Sequence, residues 1–179
     1  MSIIHELKPL HYPLSIMTVY SLNELERAIA LDPEQWRPLV FTNGCFDLLH
    51  VGHVRYLKSA KSLGKTLIVG LNSDRSVNQI KPDKEGYPSR PLIPEAQRAE
   101  VLGALKWVDG VIIFQETTAQ RVIEVLKPDI YVKGGDYTLS TLPEASVVQA
   151  YGGKIELVKI ELPTSTSKII DKILKEGKK

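Results

Sequence analysis

At 179 residues the chain has the size of one domain, long enough to bury a core and too short for two full ones. Apolar residues at 43% and charged residues at 25% exclude a disordered or fibrous chain. The formal net charge of +2 is too weak for the basic stripe of a non-specific nucleic-acid binder, and a single cysteine, Cys45, excludes an internal disulfide framework and a cysteine-based zinc site.

Glu6, Lys8, Pro9, His11 and Pro13 interrupt the first twenty residues before an apolar run reaches the length of a signal peptide or membrane span, so a cytoplasmic location is expected. Ser21-Leu-Asn-Glu24 has the form of a capping box and opens an amphipathic helix to Ala30, which Pro33 and Pro38 end. Residues 1–37 are therefore read as an N-terminal extension with a short helix, and residues 38–179 as the main domain.

Residues 39–42 read as a buried strand running into Asn43-Gly44. Val51, Val54, Leu57, Ala60 and Leu63 then fall on one helical face, with Gly64 placed to cap its end. Strands are predicted over 66–71, 111–114, 130–133 and 154–160. Helices are predicted over 94–105, 118–127, 143–151 and from about Ser165. Such alternation predicts an α/β fold, a doubly wound, Rossmann-like sheet of five parallel strands, because parallel strands require crossovers. Ligands of these sheets bind beyond the strand carboxyl ends. The longest stretch without periodicity, 80–93, holds Lys81, Lys84 and Arg90 among three prolines and a glycine, and loops of that length are usually functional or disordered.

Two nucleotide motifs fail on inspection. Gly64-Lys65-Thr66 mimics the end of a P-loop, but Ser59 stands where glycine is needed and the segment follows a helix. No Gly-x-Gly-x-x-Gly occurs, which disfavours hydride transfer. The segment Thr42-Asn-Gly-Cys-Phe-Asp-Leu-Leu-His-Val-Gly-His53 differs, because it joins the first long strand to a helix and sets His50 and His53 at that helix's N-terminus. Anions are favoured there, Gly44 and Gly52 permit close approach to the backbone, and the imidazoles can donate hydrogen bonds. Phosphoryl and nucleotidyl transfer need positioned donors and a divalent metal rather than a protein nucleophile. Cys45 reads as a small residue lining the pocket.

Asn43-Gly-Cys-Phe-Asp-Leu-Leu-His-Val-Gly-His53 resembles the signature of the cytidylyltransferase-like nucleotidyltransferase superfamily, whose members share the HxGH motif. Ser165-Thr-Ser-Lys-Ile169 resembles the superfamily's C-terminal Ser-Thr-Ser/Thr-x-Ile motif, and its hydroxyls and amides suit a phosphate at a helix start. Val69-Gly-Leu-Asn-Ser-Asp74, Gln97-Arg-Ala-Glu-Val-Leu-Gly-Ala-Leu105, Val108-Asp109 and Val132-Lys-Gly-Gly-Asp-Tyr137 most resemble the D-glycero-β-D-manno-heptose 1-phosphate adenylyltransferase branch.

The resemblance implies that a heptose 1-phosphate attacks the α-phosphorus of ATP with Mg²⁺ present, giving ADP-heptose for cell-surface polysaccharide and pyrophosphate. His50 and His53 would stabilise the transferring group. Asn43, Gly44, Cys45, Phe46 and Gly52 would line the nucleotide pocket. Asn72, Ser73, Asp74, Lys133, Gly134 and Asp136 would flank base and ribose, and Ser165, Thr166 and Ser167 would hold phosphates. Lys81, Arg90 and Arg98 are the expected phosphate and acceptor cations, and no protein side chain is assigned to the metal. The expected partners are ATP and a phosphorylated small-molecule acceptor, without nucleic acid or membrane, in a homodimer.

Pro163-Thr164 and Lys106-Trp107 stand where the glycerol-phosphate cytidylyltransferase branch carries arginines, which weakens a cytidylyl reading. Glycerol 3-phosphate with CTP, or FMN with ATP, stay open as alternatives, as does a silent nucleotide-binding protein. A class I aminoacyl-tRNA synthetase would share the His-x-Gly-His motif, but no room remains for an anticodon-reading domain.

Overall fold

The computed structural model describes residues 18–135, 137–158 and 164–177. Its elements in chain order are β1 (Val19–Tyr20), α1 (Leu22–Leu31), α2 (Pro33–Trp36), β2 (Leu39–Gly44), α3 (Val51–Lys61), β3 (Thr66–Asn72), α4 (Asp74–Ile80), α5 (Glu95–Gly103), β4 (Gly110–Phe114), α6 (Gln120–Leu126), β5 (Ile130–Gly134), α7 (Ala145–Ala150), β6 (Lys154–Val158) and α8 (Thr166–Glu176). The strands form one sheet in the order β1-β4-β3-β2-β5-β6 with every pairing parallel. The expected α/β architecture is present, with six strands rather than five.

The added strand is the two-residue edge β1, which pairs Val19 with Val111 and Tyr20 with Ile112. It lies within the segment read as an extension, and α1 beyond it contributes Leu25 and Ile29 to the core. The predicted capping box exists, with Glu24 N–H donating to Ser21 Oγ at 3.2 Å and Ser21 N–H to Glu24 Oε2 at 2.8 Å. Two short helices, α2 and α4, are also additions. Ser73 starts α4 by accepting the Ser76 N–H at 3.1 Å.

Side chains alternate across the strands, as the pleat requires, and build one core on each face of the sheet. Phe41, Ile68, Ile112 and Tyr131 face α1, α6 and α7, whereas Val40, Leu67, Val69, Val111 and Val132 face α3 and α5. Gly64 is not the cap of α3, which ends at Ser62. A Cβ on Gly64 would stand 2.6 Å from the Pro38 carbonyl oxygen and from Val40 Cγ2, so the residue is glycine because the chain passes close beneath β2.

β3 lies on one side of β2 and β5 on the other, so the chain changes direction across the sheet at β2. A crevice opens beyond the strand carboxyl ends at such a switch point. Asn43 and Gly44 end β2, Asn72 ends β3, and Lys133 and Gly134 end β5, which brings them to that edge.

Candidate functional site

His50 is the N-cap of α3, and its Nδ1 accepts the Gly52 N–H at 3.1 Å. His53, one turn on, returns the contact: its Nδ1 accepts the His50 N–H at 3.4 Å. The two imidazoles complete a reciprocal capping box and stack with centroids 4.0 Å apart. The helix N-terminus is therefore not the set of free amides anticipated from sequence, since the motif's own rings take two of them. The consequence is a fixed tautomer. With both Nδ1 atoms accepting, the neutral rings carry their protons on Nε2 and present N–H donors from there.

Burial first, and the neighbouring His50 second, push His53 down to about 4, and burial also lowers His50. Both rings are then neutral donors near pH 7. From the ordinary value of 6.5 down to about 4, the unfolded chain binds a proton at His53 that the folded chain refuses, so stability rises with pH across this window. The expected result is a falling urea midpoint as pH drops from 6.5 to 4. A His53→Ala variant should lose that part of the slope.

Phe46 braces the pair from below, edge-on to His53 at 5.3 Å, and holds a left-handed φ of 43° that costs a bulky residue about 1–3 kcal/mol. Its ring fills the space over Gly44, where an added Cβ would meet it at 3.1 Å. Gly44 thus gives room to Phe46, which is buried against the motif.

Asp47, absent from the sequence-derived candidates, ties the motif to the long loop. Its carboxylate is buried, accepts the Leu92 and Ile93 N–H groups at 2.8 and 3.0 Å, and pairs with Arg90 Nε at 2.5 Å. On the other side, Thr166 Oγ1 donates to the Leu48 carbonyl at 3.3 Å. Loop 81–94 and the start of α8 are therefore both anchored to the segment that delivers His50. Between them lies a cavity of about 300 Å³ lined by Lys81, Lys84, Tyr87, Arg90, Ser167 and Asp171, among others. With Arg90 paired to Asp47, Lys81 and Lys84 against Asp171 leave the lining a small excess of positive charge, which favours an anion. Ser165 caps α8 by accepting the Lys168 N–H at 3.3 Å.

Three expected contacts are spent inside the protein instead. Arg98 is 2% exposed: Nε donates to Ile93 O, Nη1 to Cys45 O and Asn72 O, and Nη2 to Asp74 Oδ1. That guanidinium clamps the ends of β2 and β3 to α5 and offers no face to an acceptor. Asn72 is buried with its amide on Ser76 Oγ at 2.9 Å, and Ser73 is buried as the α4 cap, so both side chains are engaged within the protein. Asp74 stays partly exposed beside Arg98. Cys45 is half-buried; burial pushes its thiol up, against the opposing charges of Lys81, Arg98 and Arg90.

At the crevice proper, Asn43 Oδ1 accepts Tyr131 Oη–H at 2.7 Å and Lys133 Nζ–H at 2.9 Å. Burial lowers Lys133 and Glu144 opposes the shift. Tyr56 fixes α3 beneath the sheet by donating to Val132 O at 3.0 Å while sharing a 2.7 Å hydrogen bond with Thr42 Oγ1. Gly134 follows Lys133 at the end of β5, and Asp136 lies outside the described residues. Among the described residues no group of three or more His, Cys, Asp or Glu side chains could hold a metal ion, and no helix is long and apolar enough to cross a membrane.

Residues 41–173 match the family model described as cytidylyltransferase-like. The chain belongs to the cytidylyltransferase-like family, a family of nucleotidyltransferases. It is 51% identical over 157 residues to the bifunctional protein HldE of Geobacter metallireducens, covering 88% of this chain and 31% of that one. It is 43% identical over 160 residues to HldE of Koribacter versatilis, covering 89% of this chain and 32% of that one. The chain thus spans about a third of the length of these curated relatives. Among solved structures it is similar to the lipopolysaccharide core biosynthesis protein of Thermoplasma volcanium, with 30% identity and a TM-score of 0.55 over 70% of this chain and 97% of that one. Pantoate-beta-alanine ligase of Francisella tularensis, at 17% identity and a TM-score of 0.57 over 91% of this chain and 80% of that one, shares the fold alone.

Proposed function

We propose that the chain transfers AMP from ATP to a sugar 1-phosphate, D-glycero-β-D-manno-heptose 1-phosphate in the first instance, giving ADP-heptose and pyrophosphate. The observation that carries the reading is the stacked His50–His53 pair, whose Nδ1 atoms are held by backbone N–H groups so that two neutral Nε2–H donors remain. An acceptor phosphate oxygen attacks the α-phosphorus, the bond to the bridging oxygen breaks, and pyrophosphate leaves with the electron pair. Negative charge on the non-bridging oxygens is met by the histidine donors, which are preorganised and need no proton transfer.

The cavity between the long loop and α8, with Lys81, Lys84 and Arg90, suits the triphosphate tail, and Ser167 at its edge suits a phosphate oxygen. Mg²⁺ is proposed to enter with the nucleotide, held by phosphate oxygens and water, and to neutralise part of the phosphate charge. Lys133 and Asn43 at the switch point are proposed ligand contacts. The heptose acceptor is favoured by the resemblance of 132–137 to that branch, by the HldE relatives, and by a structural neighbour whose description concerns lipopolysaccharide core biosynthesis. A cytoplasmic homodimer, and the division into an extension over 1–37 and a catalytic domain over 38–179, belong to the same proposal.

A grid of nucleoside triphosphates against phosphorylated acceptors, scored for pyrophosphate, tests it. The expected result is release with ATP and heptose 1-phosphate well above every other pair. Release only with CTP and glycerol 3-phosphate, or only with ATP and FMN, replaces the substrate assignment, and release with no pair favours a binding protein.

A further inference from the structure

The end of β2 carries a side chain whose orientation is settled by its neighbours. Asn43 follows Phe41 by two residues, so the pleat sets its amide on the same face of the sheet as Phe41, the face opposite α3. β3 leaves room for it: a Cβ on Gly70, its register partner, would stand 2.6 Å from Phe41 Cζ and 3.2 Å from Asn43 Cβ. From β5 come two donors to one oxygen, with Tyr131 Oη–H at 2.7 Å and Lys133 Nζ–H at 2.9 Å both on Asn43 Oδ1. Tyr131 is fully buried and stacks on Phe41 with centroids 6.1 Å apart, so its hydroxyl is held in place. An ammonium has donors and no acceptor, so the amide atom facing Lys133 is the oxygen. The nitrogen points the other way. Asn43 makes its two side-chain hydrogen bonds through Oδ1 and, among the described residues, none through Nδ2. Both Asn43 and Lys133 are half-buried at the crevice rather than sealed in the core.

We infer that Asn43 is a specificity-determining residue that meets the ligand through its Nδ2 N–H bonds and, with the remaining N–H bonds of Lys133, forms a donor-only contact for an oxyanion. The two lone pairs of the Asn43 oxygen are taken by Tyr131 and Lys133, so a ligand hydroxyl or amine finds no acceptor there. Lys133 adds positive charge, and an oxygen that carries negative charge makes the stronger, charge-assisted bond. A group that only accepts is thereby favoured over one that must also donate. Phosphate oxygens of a nucleotide and of a phosphorylated acceptor share this chemistry. That these are the ligands rests on the function proposed above, whereas the polarity of the contact does not.

The test follows the Asn43 side-chain NH₂ signals by ¹⁵N NMR in the full chain, assigned through the Asn43 backbone, during separate titrations with inorganic pyrophosphate, a non-hydrolysable ATP analogue and heptose 1-phosphate. A downfield move with at least one of the three is expected, and signals unmoved by all three overturn the inference. Movement with the ATP analogue assigns the contact to the nucleotide, and movement with heptose 1-phosphate alone assigns it to the acceptor. Asn43→Asp keeps an oxygen for Tyr131 and Lys133 and removes both Nδ2 N–H bonds, so the compound that moves the signals should bind this variant at least about tenfold more weakly. Unchanged binding in folded Asn43→Asp overturns the inference. Should that variant not fold, the titration of the unmodified chain decides by itself. Movement with pyrophosphate in a chain that binds neither candidate substrate would sink the proposed function and leave this inference standing.

Discussion

His53→Ala is expected to lower kcat by on the order of 10²–10³, about 2.7–4 kcal/mol of transition-state stabilisation, while changing ATP affinity far less. The tautomer sets the size of this effect. Because Nδ1 accepts the His50 N–H, the Nε2–H donor is fixed before substrate arrives, and the ring, held beside Phe46 and His50, reorganises little during reaction. His50→Ala should lose a similar factor and, in addition, about 1 kcal/mol of stability, since the Gly52 N–H loses its cap. His50→Asn separates the two effects: asparagine caps helices well, so stability should return while the rate does not. Steady-state kinetics with urea unfolding on the same preparations checks both. A rate unchanged in His53→Ala would remove the pair from the chemistry.

Arg98→Met carries the largest expected cost to the fold, about 3–5 kcal/mol in urea unfolding. The guanidinium is nearly inaccessible and serves three carbonyls, from Cys45, Asn72 and Ile93, that methionine leaves without those donors. Its ion pair with Asp74 is the smaller part, because that carboxylate is 43% exposed and can return to water. Asp74→Asn should therefore cost about 1 kcal/mol or less. The carbonyl of Cys45 belongs to the segment that delivers His50, so Arg98→Met should also reduce activity. A variant of full stability with lost acceptor affinity would instead place Arg98 against the substrate.

The parallel sheet was legible because its central strands are continuous apolar runs separated by helix-period segments, as in 66–71 and the helix face from Val51. β1 was not, because two residues cannot display a period and the pairing of Val19 with Val111 spans most of the domain. α4 carried a signal in Ser73, a capping residue before Asp74, that the family reading absorbed into a nucleotide contact.

The histidine pair was legible through its spacing and its place between strand and helix, but its reciprocal caps were not, since histidine is an uncommon N-cap. Arg98 and Asn72 illustrate the limit of carrying roles over by motif. Both motifs are present, yet the Arg98 guanidinium joins the ends of β2 and β3 through contacts up to 53 residues apart, and the Asn72 amide is held on Ser76 of α4. Asp47 and Glu144 are opposite cases: neither was singled out in the sequence, because the amides that their carboxylates accept are brought to them only by the fold.

The central claim is attack at the α-phosphorus beside His50 and His53. It is tested most directly by incubating the chain with heptose 1-phosphate and ATP labelled with ³²P at either the α or the γ position. The account predicts α-label in the sugar nucleotide and γ-label in pyrophosphate, with both transfers falling together in His53→Ala. Transfer of γ-label to the sugar, or α-label remaining in ATP or ADP, would contradict it.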